Sequence, residues 1–204
     1  MMNLEEISLN YKSDKGSVYH NYLHIYEKYF SKYRTTLENF LEIGLWEGES
    51  IRMWRDYFEV GNLVGADILD LSHIKLPDTQ IHLCDQSDRT QLESLVTNTY
   101  KQYDIIIDDG GHMMHQQQIT LGVMFKYLKP GGVFVIEDLH TSGNPAYTRH
   151  GDTDTLQMLH SYNDTGVLVS NCMTDEEIDY LSKHIESVNV ELGNVSPIAF
   201  IIKK

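Results

Sequence analysis

Asp108, Asp109 and His112 lie within five residues of one another, in the stretch Tyr103-Asp-Ile-Ile-Ile-Asp-Asp-Gly-Gly-His112. Two carboxylates and an imidazole on so short a piece of chain can hold a hard cation and move a proton near neutral pH. A second acidic pair, Glu137-Asp138, stands at the end of Val133-Phe134-Val135-Ile136. Taken alone, the first stretch reads equally as an ordinary strand end, with an Asp opening a turn and glycines completing it. The elements that would position both acid pairs decide between the two.

Ile105-Ile106-Ile107 and Val133–Ile136 are apolar on both faces, as strands of a parallel sheet covered by helices on each side must be. Ligands of such sheets sit just beyond the carboxyl ends of the strands, where Asp108, Asp109, His112, Glu137 and Asp138 fall. Adjacent parallel strands run about 5 Å apart, so Asp109, Glu137 and Asp138 can converge on one cation. Oxygen ligands without cysteine favour Mg²⁺ or Mn²⁺ over Zn²⁺.

The remaining elements follow as an alternation. A strand at Phe40–Gly44 precedes a helix at Ser50–Phe58, and strands at Leu63–Asp67 and Gln80–Cys84 precede a helix from about Asp88 to Tyr100. A helix at Gln116–Tyr127 is ended by Lys129-Pro-Gly-Gly132 before the strand at Val133–Ile136. Thr174-Asp-Glu-Glu177 fits a capping box opening the last helix, and Glu186–Glu191 and Ile198–Ile202 pair antiparallel around Gly193-Asn194. Residues 1–36 are rich in Tyr and His. Leu23, Tyr26 and Phe30 predict a core-facing helix there with Ser17 as one cap, preceded by a loop at Tyr11–Gly16 that can serve as a lid. The whole is an α/β sandwich on a mostly parallel sheet, in one domain over residues 1–204.

Composition narrows the function. A net charge of −14, with no run of Lys and Arg, makes nucleic acid and anionic membranes poor partners. Cys84 and Cys172 are too few for a disulfide framework and read as thiols in a reducing cytosol. The start of the chain lacks the pattern of a signal peptide, no stretch is long enough to span a membrane, and a cytoplasmic location follows.

Glu42-Ile-Gly44-Leu-Trp-Glu-Gly48-Glu-Ser50 puts glycines at a strand-to-helix turn, and Asp67 ends the next strand where a ribose-binding acid belongs. There is neither a GxxxxGK[ST] loop nor a GxGxxG turn. ExGxxxG at the first strand, Asp67, Asp85-Gln86 at the third strand and the antiparallel ending together resemble the class I S-adenosylmethionine-dependent methyltransferases. Within that class, IIIDDGGH followed by LKPGGVFVIEDLHTS is similar to the metal-dependent sugar O-methyltransferases acting on macrolide deoxysugars and related glycans. Ser13-Asp14-Lys15, with His20 and Tyr22 behind it, resembles that group's leading TDK segment.

The resemblance implies a seven-stranded Rossmann-like methyltransferase sandwich with an antiparallel last strand and an N-terminal helical lid. It implies S-adenosyl-L-methionine as cofactor, held by Glu42, Gly44, Gly48, Ser50, Asp67, Asp85 and Gln86, with Lys15 and Asp108 supporting it. It further implies Mg²⁺ or Mn²⁺ on Asp109, Glu137 and Asp138, His112 as base, and a sugar or glycan-type small molecule as acceptor. Cys84 stands where the group more often has Gly. A catechol or small polyol would chelate a cation equally well. A hydroxylase component from cephamycin biosynthesis resembles the same group, and a non-catalytic partner of the same fold is a third reading. Homo-oligomerisation is left open. His115 is expected to be an exposed residue of a helix start, and His140 a candidate for the substrate wall. Asn144-Pro-Ala-Tyr147 is similar to the NPPY motif of amino-methyltransferases but follows the fifth strand rather than the fourth, and reads as a turn.

Overall fold

The computed structural model describes residues 2–204. Seven strands form one sheet: β1 (Asn39–Ile43), β2 (Asn62–Asp67), β3 (Thr79–Leu83), β4 (Tyr103–Asp108), β5 (Leu128–Ile136), β6 (Ile185–Leu192) and β7 (Pro197–Lys203). Their order is β3-β2-β1-β4-β5-β7-β6, with β7 antiparallel to both its neighbours. Seven α-helices accompany them: α1 (Leu4–Ser8), α2 (Leu23–Phe30), α3 (Glu49–Tyr57), α4 (Arg89–Asn98), α5 (Met114–Met124), α6 (Thr155–Thr165) and α7 (Asp175–His184).

The two-faced apolar strands divide as their period of two requires. Ile105, Ile107, Val133, Val135 and Phe200 face a core built with α1, α2 and α3, where Tyr26, Phe30 and Trp54 are fully buried. Ile106, Phe134, Ile136 and Ile201 face the opposite core with α4 to α7, against Leu92, Leu121, Leu159 and Leu181. Helices on both faces leave only the strand ends open to ligands.

The structure moves several boundaries. The helix expected to run to Tyr127 ends at Met124 and tightens into a 3-10 turn over Phe125–Tyr127. Lys129–Gly132 is not a helix stop but a bulge inside β5. Leu128 pairs with Tyr103 and Val133 with Ile105, so the extra residues loop out where Pro130 needs no donor and Gly131 takes φ +74°. Ser17 does not cap α2; Tyr22 precedes it without any side-chain cap. Two helices were not anticipated, α1 behind an Asn3–Glu6 capping box and α6 behind Asp154, whose side chain accepts from the Gln157 amide.

Candidate active site

At the end of β1 the chain turns through Gly44 and Trp46, both with left-handed backbone, into Gly48, the left-handed N-cap of α3. A Cβ on Gly44 would lie 2.0 Å from the Asp109 carbonyl oxygen, so glycine there lets the β1 and β4 loops meet backbone to backbone. Asp67, at the end of β2, ties this turn down. Its Oδ2 accepts from the Leu45 and Trp46 amides at 2.7 and 3.1 Å, and its Oδ1 from the Leu69 amide at 2.8 Å. A carboxylate has about four acceptor positions, so roughly one remains for a ligand hydroxyl.

Above these strand ends lies a cavity of about 680 Å³. Lys15, Gly44, Ser50, Asp67, Asp85 and Gln86 line it, with Asp109, His112 and Asp138 also on its wall. Glu42 lies outside that lining, wholly buried, and accepts from the Ser50 hydroxyl at 3.0 Å and the Trp54 indole at 3.1 Å. Burial pushes its carboxyl up to about 7, against the pull of the Lys15 ammonium. Gln86 faces both ways: its amide nitrogen donates to Asp108 at 2.9 Å and Thr120 at 3.1 Å, and its oxygen accepts from the Gly111 amide at 2.7 Å. Asp108 is buried beneath, raised to about 6 by burial, with Oδ2 lacking a partner. Through Gln86 it is linked to the Gly111 amide of the Asp109–His112 loop.

At one end of the cavity Asp109, His112 and Asp138 offer one ligand atom each, all within 4.8 Å of one another. His112 and Asp138 both have left-handed backbone, at φ 58° and 56°, conformations that non-glycine residues adopt at a cost. The buried Thr141 hydroxyl lies 3.0 Å from the His112 carbonyl and 2.9 Å from the Asp138 carbonyl, fixing the two turns together. Two carboxylate oxygens and an imidazole nitrogen suit Mg²⁺ or Mn²⁺, the harder cations, better than a thiolate-seeking metal.

Of the three carboxylates anticipated as ligands, Asp109 and Asp138 join this cluster. Glu137, beside them, accepts from the Tyr26 hydroxyl and pairs with Lys15 at 2.7 Å. Lys15 also bonds Asp109. Burial pushes Asp109 and Glu137 upward, and the Lys15 ammonium pulls each back.

Sequence reasoning named His20, Tyr22 and His140 but did not join them to Asp138. His20 is buried and stacked on Tyr22, with Nδ1 3.6 Å from Asp138. Tyr22 donates to the same carboxylate at 3.3 Å. The signal was available, since both follow the leading Ser13-Asp14-Lys15 segment. His140 is 46% exposed, 3.7 Å from Asp138, and bonded to Ser196 at 2.8 Å. His115 is not exposed as expected but buried 3.5 Å from Asp152. Asn144–Tyr147 is a turn, as expected, with Asn144 accepting from the Ala146 amide. Cys84 is buried on the cavity wall and Cys172 half-buried, both free thiols.

No family model matches the chain. It is similar to mycinamicin VI 2''-O-methyltransferase of Micromonospora griseorubida, 33% identical over 156 residues, which are 73% of this chain and 39% of that protein. An 8-demethyl-8-alpha-L-rhamnosyl tetracenomycin-C 2'-O-methyltransferase of Streptomyces olivaceus is 36% identical over 159 residues, 74% of this chain and 42% of its own length. The chain thus spans about two fifths of these curated relatives. Among solved structures, the MycE methyltransferase of the mycinamycin pathway, in complex with Mg and SAH, superposes with a TM-score of 0.84 at 28% identity. That match covers 99% of this chain and 55% of MycE. By sheet order, motif and likeness, the chain belongs to the class I S-adenosylmethionine-dependent methyltransferases, in the group that holds these sugar O-methyltransferases.

Proposed function

We propose that the chain is an S-adenosylmethionine- and Mg²⁺-dependent O-methyltransferase acting on a hydroxyl of a sugar or glycan-type small molecule. The observation that carries this reading is the convergence of Asp109, His112 and Asp138 at one end of a cavity whose wall also holds Gly44, Asp67 and Asp85. When bound, the cofactor supplies a sulfonium methyl group and the divalent cation lowers the pKa of an acceptor hydroxyl.

The chain's own residues divide the remaining work. The glycine turn and the free acceptor position on Asp67 seat the cofactor, and Asp85 borders the cavity beyond β3. Asp109 and Asp138 would hold the cation. The His112 ring, with Nε2 3.5 Å from Asp138, takes the acceptor proton as the methyl group transfers, and the Asp138 carboxylate stabilises the imidazolium that results. Tyr22 donates to Asp138, and His20 and His140 stand beside the same carboxylate. The charge of −14 accords with a small-molecule acceptor rather than nucleic acid, and the reading places the reaction in the cytoplasm.

Methyl transfer from labelled cofactor to a panel of glycosides and catechols tests the reading. EDTA is expected to abolish turnover, and Mg²⁺ to restore it. His112→Ala is expected to lower kcat by about 10²- to 10⁴-fold, the usual worth of a general base. Asp109→Asn should lose turnover as well, while S-adenosylhomocysteine still binds both variants by calorimetry. Full activity in chelator or in His112→Ala sinks the scheme, and transfer to catechols alone replaces the sugar with an aromatic acceptor.

A further inference from the structure

Lys15 lies in the loop between α1 and α2, its side chain 1% exposed and its carbonyl bonded by the Tyr22 amide at 2.8 Å. Its ammonium group sits between two acids from neighbouring strand ends, touching Asp109 Oδ2 and lying 2.7 Å from Glu137 Oε1. Tyr26 donates to that same Glu137 oxygen. Among the described residues, Lys15 is the one Lys or Arg paired with Asp109, Glu137 or Asp138. Asp109 is therefore shared between the ammonium and the cluster it makes with His112 and Asp138.

Charge explains the arrangement. Ionised, Asp109, Glu137 and Asp138 carry three negative charges in a poorly hydrated place, where each unpaired carboxylate is costly. One ammonium and one divalent cation together neutralise the three. With the cation absent, the ammonium is what stands against Asp109 and Glu137; with the cation present, it repels a double positive charge and contends for Asp109.

We infer that Lys15 is a positioning residue that serves as a built-in counter-ion: it occupies Glu137, competes with the divalent cation for Asp109, and so sets how tightly the site holds that cation. The inference rests on the cation reading above and goes beyond it, because it gives a residue outside the cluster control over the cluster's affinity. A side chain that merely held the loop in place would, on removal, loosen the site; a competing cation, on removal, tightens it.

Mn²⁺ titration followed by the EPR signal of the free ion separates these outcomes without recourse to turnover. Lys15→Met is expected to bind Mn²⁺ at least tenfold more tightly than the parent, and Lys15→Arg, which keeps the charge, to stay within about threefold of it. Equal or weaker binding by Lys15→Met overturns the inference. Should Lys15→Met fail to fold, Glu137→Gln is compared with the Lys15→Met/Glu137→Gln double variant, in which charge and partner leave together. The double variant is expected to bind at least threefold more tightly than Glu137→Gln, and equality there overturns the inference as well. If the parent takes up no Mn²⁺ at all, the cation site itself fails and Lys15 has nothing to compete with; a parent that binds, with an unmoved Lys15 variant, removes only the counter-ion role.

Discussion

Glu42 holds its proton more firmly in the folded protein than in the open chain, because burial between Ser50 and Trp54 pushes its carboxyl up to about 7. A raised pKa of this kind favours the fold fully below the unfolded value of about 4.5, and that contribution is lost as pH rises through 7. The gap corresponds to about 3 kcal/mol as an order of magnitude. Glu42→Gln keeps a neutral group able to accept from Trp54 and donate to Ser50. Its melting temperature should therefore gain on the parent's between pH 5 and pH 7 and level off above that, and a constant difference from pH 5 to pH 8 would refute the assignment. At this scale the sequence points to the candidate residues and is silent about how each is oriented. Asp109, His112 and Asp138 were legible from type and spacing, but the turning of Glu137 toward Lys15 and Tyr26 depends on partners 122 and 111 residues away. The left-handed backbone at His112 and Asp138 leaves no mark on residue type either, since neither position is glycine.

Elements carry the next level of control, and the brace through Gln86 is the clearest case. One amide side chain from the loop after β3 joins the end of β4, the Gly111 turn and α5 by way of Asp108 and Thr120. Gln86→Ala leaves the Gly111 amide and the already under-partnered Asp108 without that partner, which should cost about 2–4 kcal/mol in urea unfolding. Because His112 follows Gly111 directly, kcat should fall along with stability; stability lost with kcat intact would make Gln86 a purely structural tie. The strands were readable because burial on both faces forces continuous apolar runs, as at Ile105–Ile107. The β5 bulge was not, because Pro and Gly signal a break in regularity without saying whether helix or strand is being broken. Helix α6 was missed for a related reason: Thr155–Thr165 buries only Thr155, Met158 and Leu159, too narrow a stripe to stand out in the chain.

For the whole molecule, the sheet order places every strand end that contributes to the cavity side by side, from β3 through β5, while β7 and β6 close the far edge. A seven-stranded, mostly parallel sheet with an antiparallel ending could be anticipated from the alternation of strands and helices and from the family motifs, whereas the closing of the N-terminal segment over β4 and β5 required the packing of α2 against Phe200 and Trp54. A ligand filling the cavity stabilises the folded chain by mass action. S-adenosylhomocysteine at 100 times its dissociation constant should add about 2.7 kcal/mol, or roughly 5–10 °C in melting temperature for a chain of this size. No shift at saturation would show that the cavity does not take the cofactor. The chain has two tryptophans, and the fold separates them completely: Trp54 is wholly buried under the sheet, while Trp46 is 77% exposed at the cavity mouth. The protein consequently carries two intrinsic fluorophores with different reports, a blue-shifted indole that acrylamide cannot reach and a red-shifted one that it quenches, so that a single emission spectrum can follow cavity occupancy and unfolding as separate events.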